Sequence, residues 1–236
     1  MSSTIAVDVV RVFTNEAGEH GNELGIVRSD ASTSGREQAI AAELGFSETV
    51  FVDELGRRLS PDDGGSERTA VIRIFTPVAE LPFAGHPSVG TAWWLAHEGS
   101  PVDVLLERAG DVRVRYDADR TWITGRASWA PHFEWMPLAD PAQVDALDPA
   151  AVTAGHHYAY AWIDEEAGAL RSRMFAPELG IAEDEATGAA AVRITTVLGR
   201  DLEILQGRGS RLSTRLGAGE SVEVGGRTVA DQRIEL

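Results

Sequence analysis

Along most of the chain, apolar and polar positions alternate in short β-branched runs, and only three stretches switch to a helical period. Residues 5–13 (IAVDVVRVF) alternate in part and predict a strand. Residues 24–27 predict a second, after the turn-like Asn15-Glu16-Ala17-Gly18. In residues 34–44, Ile40, Ala41 and Leu44 make an apolar stripe and Gly45 is a plausible stop, which predicts a helix. Residues 49–52 return to strand, and Asp62-Asp63-Gly64-Gly65-Ser66 predicts a hairpin-type turn into strand 69–75. Residues 87–97 predict a helix that packs Ala92, Trp93, Leu95 and Ala96, followed by a strand meander over 102–106, 112–116 and 121–123. Beyond it, 158–163 and 170–175 predict strands and 187–198 a helix stopped by Gly199. Four short strands follow, at 202–206, 211–216, 221–224 and 228–234, with Gly-rich turns. Residues 139–154, rich in Ala, Asp and Pro, fit either a short helix or a surface connection. The pattern predicts an α+β fold with mostly antiparallel sheets and helices packed within them, divided into residues 1–125 and 126–236.

One local pattern occurs twice, about a hundred residues apart. Arg73-Ile74-Phe75-Thr76-Pro77 leads to Gly85-His86-Pro87-Ser88-Val89-Gly90, and Arg173-Met174-Phe175-Ala176-Pro177 leads to Glu183-Asp184-Glu185-Ala186-Thr187-Gly188. In each, a polar residue precedes a glycine by four: His86 before Gly90, Asp184 before Gly188. Repetition on this scale predicts two similar halves related by a pseudo-two-fold, with one site between them. The starts of the two motif helices would offer unpaired N–H groups and the positive ends of helix dipoles, together a receptor for a carboxylate. Ser88 and Thr187 also fit plain N-caps. His86 is flanked by glycine and proline rather than placed on an apolar helix face. Asp184 lies in an acidic cluster, where Glu183 and Glu185 read as charge complements of a helix N-terminus. Glu48 precedes an apolar strand; such a carboxyl can have a raised pKa and act as acid or base, or be a plain strand-edge glutamate. Asn22, after Gly21, reads locally as a turn residue.

Composition adds mainly exclusions. A length of 236 residues allows one large or two small domains, and 43% hydrophobic content supports proper cores. A net charge of −16 repels phosphate backbones, so no nucleic-acid partner is expected. The chain has no cysteine, which rules out thiolate nucleophiles, Cys-based zinc sites and two-thiol racemase chemistry. All 21 basic residues are arginine, so Schiff-base catalysis and a P-loop are also excluded. The six histidines show no ligand spacing, since His156 and His157 are adjacent and diverge in a strand; neither metal nor organic cofactor is expected. No apolar run is long enough to span a bilayer, and residues 1–8 lack the regions of a signal peptide, so a cytoplasmic protein without membrane partners is expected.

Several stretches, in order and across nearly the whole chain, resemble the phenazine-biosynthesis isomerase-like (PhzF) family, which shares its fold with diaminopimelate epimerase. They are VDVVRVFT (7–14), GNELGIV (21–27), SETVFV (47–52), IRIFTP (72–77), ELPFAGHPSVGTA (80–92), RSRMFAPELGIAEDEATGAA (171–190) and ILQG (204–207). The resemblance implies two similar domains, each a mostly antiparallel barrel-like sheet around a central helix, with the site in the cleft. It implies an isomerase that moves a proton on a small carboxylated substrate without a cofactor, with secondary metabolism as one setting, and it admits a homodimer. The family's acid/base glutamate falls on Glu48, its active-site Gly-His pair on Gly85 and His86, and its aspartate on Asp184. Asn22, Ser88, Thr187, Gly188 and Ala189 complete the expected substrate contacts. Three departures stand out: Glu185 follows the aspartate where proline is usual, Ala189 follows Thr-Gly where serine is common, and 129–157 is short, as in a reduced second domain. Glu23 also replaces the usual proline after Gly-Asn. A Ser-His-Asp hydrolase using Ser88 or Ser47 lacks the G-x-S-x-G elbow. A non-catalytic small-molecule binding protein on the same scaffold stays open, although such a protein has no need of a general base at Glu48.

Overall fold

The computed structural model describes residues 4–62 and 64–236. The first three residues of the N-terminal stretch and Asp63 of the turn at 62–66 lie outside the described residues. The first half runs β1 (Ala6–Thr14), β2 (Asn22–Arg28), α1 (Glu37–Leu44), β3 (Glu48–Leu59), β4 (Ser66–Phe75), β5 (Glu80–Leu81), α2 (Gly85–His97), β6 (Val104–Glu107), β7 (Gly110–Asp117) and β8 (Arg120–Arg126). The second runs β9 (Glu134–Pro137), α3 (Pro141–Asp145), β10 (His157–Asp164), β11 (Ala169–Ala176), β12 (Ile181–Asp184), α4 (Gly188–Leu198), β13 (Leu202–Gln206), β14 (Ser210–Leu216) and β15 (Ser221–Glu235).

Eight strands close on themselves in the order β1-β2-β3-β4-β6-β7-β8-β15, and β15 pairs back to β1. This barrel encloses α2. The helix is apolar on almost every side, with Val89, Ala92, Trp94 and Leu95 all buried, and such a helix is stable only when surrounded. Gly90 allows the approach: a Cβ there would lie 2.6 Å from Val12 and 2.7 Å from Leu24. From β15 the sheet continues through β14, β13, β11 and β10 to β9, with α4 on β14 and β15 and α3 on β10 and β11. Here the expectation of two barrels is corrected. The path ends at β9, which among the described residues pairs only with β10, so the second half is an open sheet. The stretch after β8 holds four-residue β9, five-residue α3 and two single 3-10 turns, and among the described residues no strand in it closes the sheet.

A second correction concerns 221–234, expected as two strands with a glycine turn and found as one 15-residue strand. A side chain on Gly225 would meet the Trp122 ring at 2.4 Å, and one on Gly226 would meet the Phe13 ring at 2.6 Å. These glycines make room for aromatic rings rather than for a turn. The result is a strand whose first part pairs with β8 and β14 and whose second part pairs with β1. Other expectations agree closely. Gly45 and Gly199 cap α1 and α4 in the left-handed conformation, at φ 70° and 66°. Residues 139–154 hold both a helix, α3, capped by the Asp140 side chain, and a surface connection. Among the described residues, no helix is long and apolar enough to cross a membrane.

Candidate active site

Two helix starts meet at the centre of the molecule. A Cβ on Gly85 would lie 2.8 Å from the carbonyl carbon of Gly188, and one on Gly188 equally close to that of Gly85, so only glycine permits this contact. Each helix follows a strand ending in the Arg-x-Phe-x-Pro pattern and a short antiparallel strand, β5 or β12, paired with it. The structural counterpart of Gly188 is therefore Gly85, not Gly90. His86 lies in the first turn of α2, whereas Asp184 ends β12, so the two polar residues of the repeat are not equivalent positions.

No side chain caps either helix. Thr187 donates its hydroxyl to Asp184 Oδ2 at 2.5 Å instead. Ser88 is fully buried one turn into α2, with its hydroxyl 2.7 Å from Ala84 O and 2.6 Å from Glu107. Both capping assignments are thus corrected, and so is Ser88 as a substrate contact, because its hydroxyl faces β6. The N–H groups of the first turns of α2 and α4 are left without caps, which preserves the anion-attracting ends of both helices.

Three ionisable groups converge beside them. Glu48 opens β3 and places Oε2 3.2 Å from His86 Nδ1; that oxygen is buried and makes no aligned hydrogen bond. Burial pushes Glu48 up to about 7, with the Ser47 hydroxyl offsetting part of the effect. Burial pulls His86 down to about 4 against the opposing charge of Asp184, so its imidazole is neutral at physiological pH. His86 Nε2 lies 3.3 Å from Glu23 O, which can only accept, so Nε2 carries the hydrogen and Nδ1 turns a lone pair to Glu48. Asp184 is raised as well, first by burial and then by the Glu48 charge. Two carboxyls and a neutral imidazole therefore share few protons near neutrality.

The remaining residues hold this arrangement in place. Asn22, at the start of β2, donates to Asp184 Oδ1 at 2.7 Å and to Ala186 O at 3.2 Å, and its Oδ1 is 3.4 Å from the Ser47 hydroxyl. It is not a turn residue: it ties the two halves together while lining the cavity between them. Glu183 and Glu185 also depart from their expected role. Glu183 pairs with Arg173 through two 2.7 Å bonds, and Glu185 accepts from the Arg208 amide and from Ser210. Gln206, fully buried, donates to Asp184 O at 3.0 Å and to Thr187 Oγ1 at 2.8 Å. The sequence pattern assigns Gln206 no role; its signal is a lone amide ending the apolar strand LEILQ.

A cavity of about 500 Å³ opens between the halves, with Asn22 and Ser47 on one wall and Asp184 and Glu185 on the other. Among the described residues, no three His, Asp or Glu side chains cluster as metal ligands would. Unpaired N–H groups, a carboxyl titrating near neutrality and a neutral histidine can together bind an anion and relocate a proton on it.

Comparison with known proteins gives the same direction. The model of the phenazine biosynthesis-like protein family matches residues 10–148 and 135–230. The trans-2,3-dihydro-3-hydroxyanthranilate isomerase of Pseudomonas aeruginosa is 34% identical, over 94% of this chain and 95% of that one. The enzyme of that name from Pseudomonas fluorescens is 32% identical, over 72% and 74%. A PhzF-family phenazine biosynthesis protein of Bacillus anthracis shares the fold, with a TM-score of 0.77 at 20% identity and 99% of both chains covered.

Proposed function

We propose that this chain, which belongs to the phenazine biosynthesis-like protein family and is an isomerase, moves a proton between two carbons of a small carboxylated substrate without a cofactor. The substrate class is a cyclic dienoic acid such as trans-2,3-dihydro-3-hydroxyanthranilate, on which the Pseudomonas relatives are named to act. Its carboxylate would rest against the N–H groups of Gly85, His86, Gly188 and Ala189, on a pseudo-two-fold axis between residues 1–125 and 126–236. The carboxylate of Glu48 takes a proton from the activated sp³ carbon as the C–H electron pair moves into the conjugated system. Glu48 then returns the proton to a carbon further along, so atoms and charge balance and nothing is oxidised. His86, neutral, accepts at Nδ1 a hydrogen bond from the proton that Glu48 carries between its removal and its return, and so positions the protonated carboxyl. Asp184, held by Asn22 and Thr187, shares the site's protons. With Ala189 in place of the serine common in the family, one hydroxyl contact to the substrate is absent.

The observation that carries this reading is the Glu48 carboxyl: buried, unpartnered at Oε2 and beside a neutral imidazole where two uncapped helix starts meet. Incubation with cyclic dienoic acids in D₂O, followed by NMR, tests it. The expected result is a shifted double bond with deuterium at the new sp³ carbon or with the original hydrogen transferred there. A protein that binds these acids without rearranging them is a binding protein, and the proposal fails.

A further inference from the structure

Glu107 ends β6 and takes no part in the reaction above. It shares a face of the strand with Leu105, which is in the barrel core, so Glu107 points inward at α2. Among the described residues, no cation compensates it. Across β7 it faces Gly110, which has no side chain. Nearby charges are committed elsewhere: Asp111 to Arg58, Arg108 to Glu80, Arg113 to Glu67 and Asp62, and, on β4, Arg68 to Asp103 and Arg73 to Glu37 and Asp53. On α2 the ionisable groups are His86, beside Glu48, and His97, stacked on Trp93. Ser88 is the partner Glu107 has, 2.6 Å from Oε1, while Oε2 is buried without one.

Ser88 Oγ is also 2.7 Å from Ala84 O. A hydroxyl has one hydrogen, and both neighbours are oxygens. The two contacts are hydrogen bonds together only if Glu107 supplies the second proton, so that Glu107 donates to Ser88 and Ser88 donates to Ala84. Burial acts in the same sense, pushing Glu107 up to about 8. Ala84 is the N-cap residue of α2, immediately before Gly85 and His86.

We propose that Glu107 is a positioning residue: its proton keeps the α2 start able to receive the substrate's carboxylate, and its ionisation closes that receptor. This rests on the carboxylate reading given above. An ionised Glu107 would draw the Ser88 hydrogen away from Ala84. It would also place an uncompensated negative charge about one turn from Gly85 and His86, competing with the substrate for the same positive helix end.

The test is calorimetric binding of 3-hydroxyanthranilate, an aromatic carboxylate related to the Pseudomonas substrate, between pH 6.5 and 9.5. Wild-type affinity should fall about ten-fold as pH rises through the Glu107 transition, the size of a favourable helix-end interaction. Glu107→Gln should lose the part of the fall centred near 8 and keep only what the ionisation of Glu48 near 7 contributes, because its carboxamide donates to Ser88 and cannot ionise. Ser88→Ala removes the charge-assisted hydrogen bond that the ionised carboxylate accepts, which is stronger than the one the protonated carboxyl donates, so its midpoint should move to higher pH. In turnover the loss should enter through KM, with kcat unaffected. A Glu107 of merely structural value would change Tm and leave the pH profile alone. If Glu107→Gln retains the part of the fall centred near 8, or Ser88→Ala leaves the midpoint in place, this inference is overturned and the substrate reading survives. If no variant binds the carboxylate at any pH, both fall together. Should Glu107→Gln not fold, infrared titration of wild type and Ser88→Ala decides, through the protonated-carboxyl band whose midpoint must rise in the variant.

Discussion

Replacing Glu48 with glutamine keeps the side chain's volume and removes its proton-accepting oxygen. Turnover should therefore fall on the order of 10²-fold or more while ligand affinity changes little, measured by NMR-monitored isomerisation beside calorimetry. The same variant should alter how stability depends on pH. A carboxyl whose pKa is raised on folding contributes stability that is full below its ordinary value of 4.5 and is lost as pH rises through about 7. Glu48→Gln should thus match wild type near pH 4 and exceed it at pH 8 by roughly 1–3 kcal/mol, read from denaturant midpoints. Equal midpoints at pH 8 would mean that Glu48 is not raised. At this scale the ionisable groups were legible in the sequence, because Glu48, His86 and Asp184 sit in distinctive local strings. Their partners were not: Asn22 reaches Asp184 across 162 residues, and neither local string announces the bond.

Helix starts and strand crossings depend on missing side chains. Gly188→Ala would place a methyl 2.8 Å from Gly85 carbonyl carbon and His86 nitrogen, backbone that cannot swing aside. We expect a loss of about 1–3 kcal/mol from overpacking, with KM raised because the two helix starts part. Gly225→Ala meets the Trp122 ring and Thr121 O and should cost a similar amount, about 1–3 kcal/mol, without touching KM. Thermal melts and steady-state kinetics on the pair separate the two roles. These positions also show where pattern reading stops. Periodicity located three of the four α-helices among the described residues because an apolar stripe is a local property. The same reading took Gly225 and Gly226 for a turn, since composition cannot tell a glycine that bends the chain from one that admits an aromatic ring. The polar-x₃-Gly coincidence likewise suggested that His86 and Asp184 occupy equivalent places, when in three dimensions Gly85 and Gly188 are the facing pair.

For the whole molecule, the decisive strand is the last one. Residues 227–235 of β15 pair with β1, and 221–226 pair with β8, so the first barrel is completed by the other end of the chain. A fragment of residues 1–125, the first of the two domains read from sequence, would lack its eighth strand. Expressed alone it should be insoluble or give no cooperative melt, and should recover when residues 219–236 are joined to it through a flexible linker. A cooperative melt of the fragment by itself would refute this. The crossing was invisible in the sequence because nothing within a strand specifies a partner more than two hundred residues away. It also imposes a schedule on biosynthesis. Translation at roughly 5–20 residues per second takes on the order of ten to fifty seconds for a chain of this length. β1 from early in that time, and β8 from about its midpoint, carry open, hydrogen-bond-hungry edges of the kind that recruit other chains. The enclosed helix, and the substrate receptor at its start, can be sealed only after residues 221–235 emerge. Yield in a cell should therefore rise more with chaperones that cover open strand edges than with substitutions that stabilise the finished barrel.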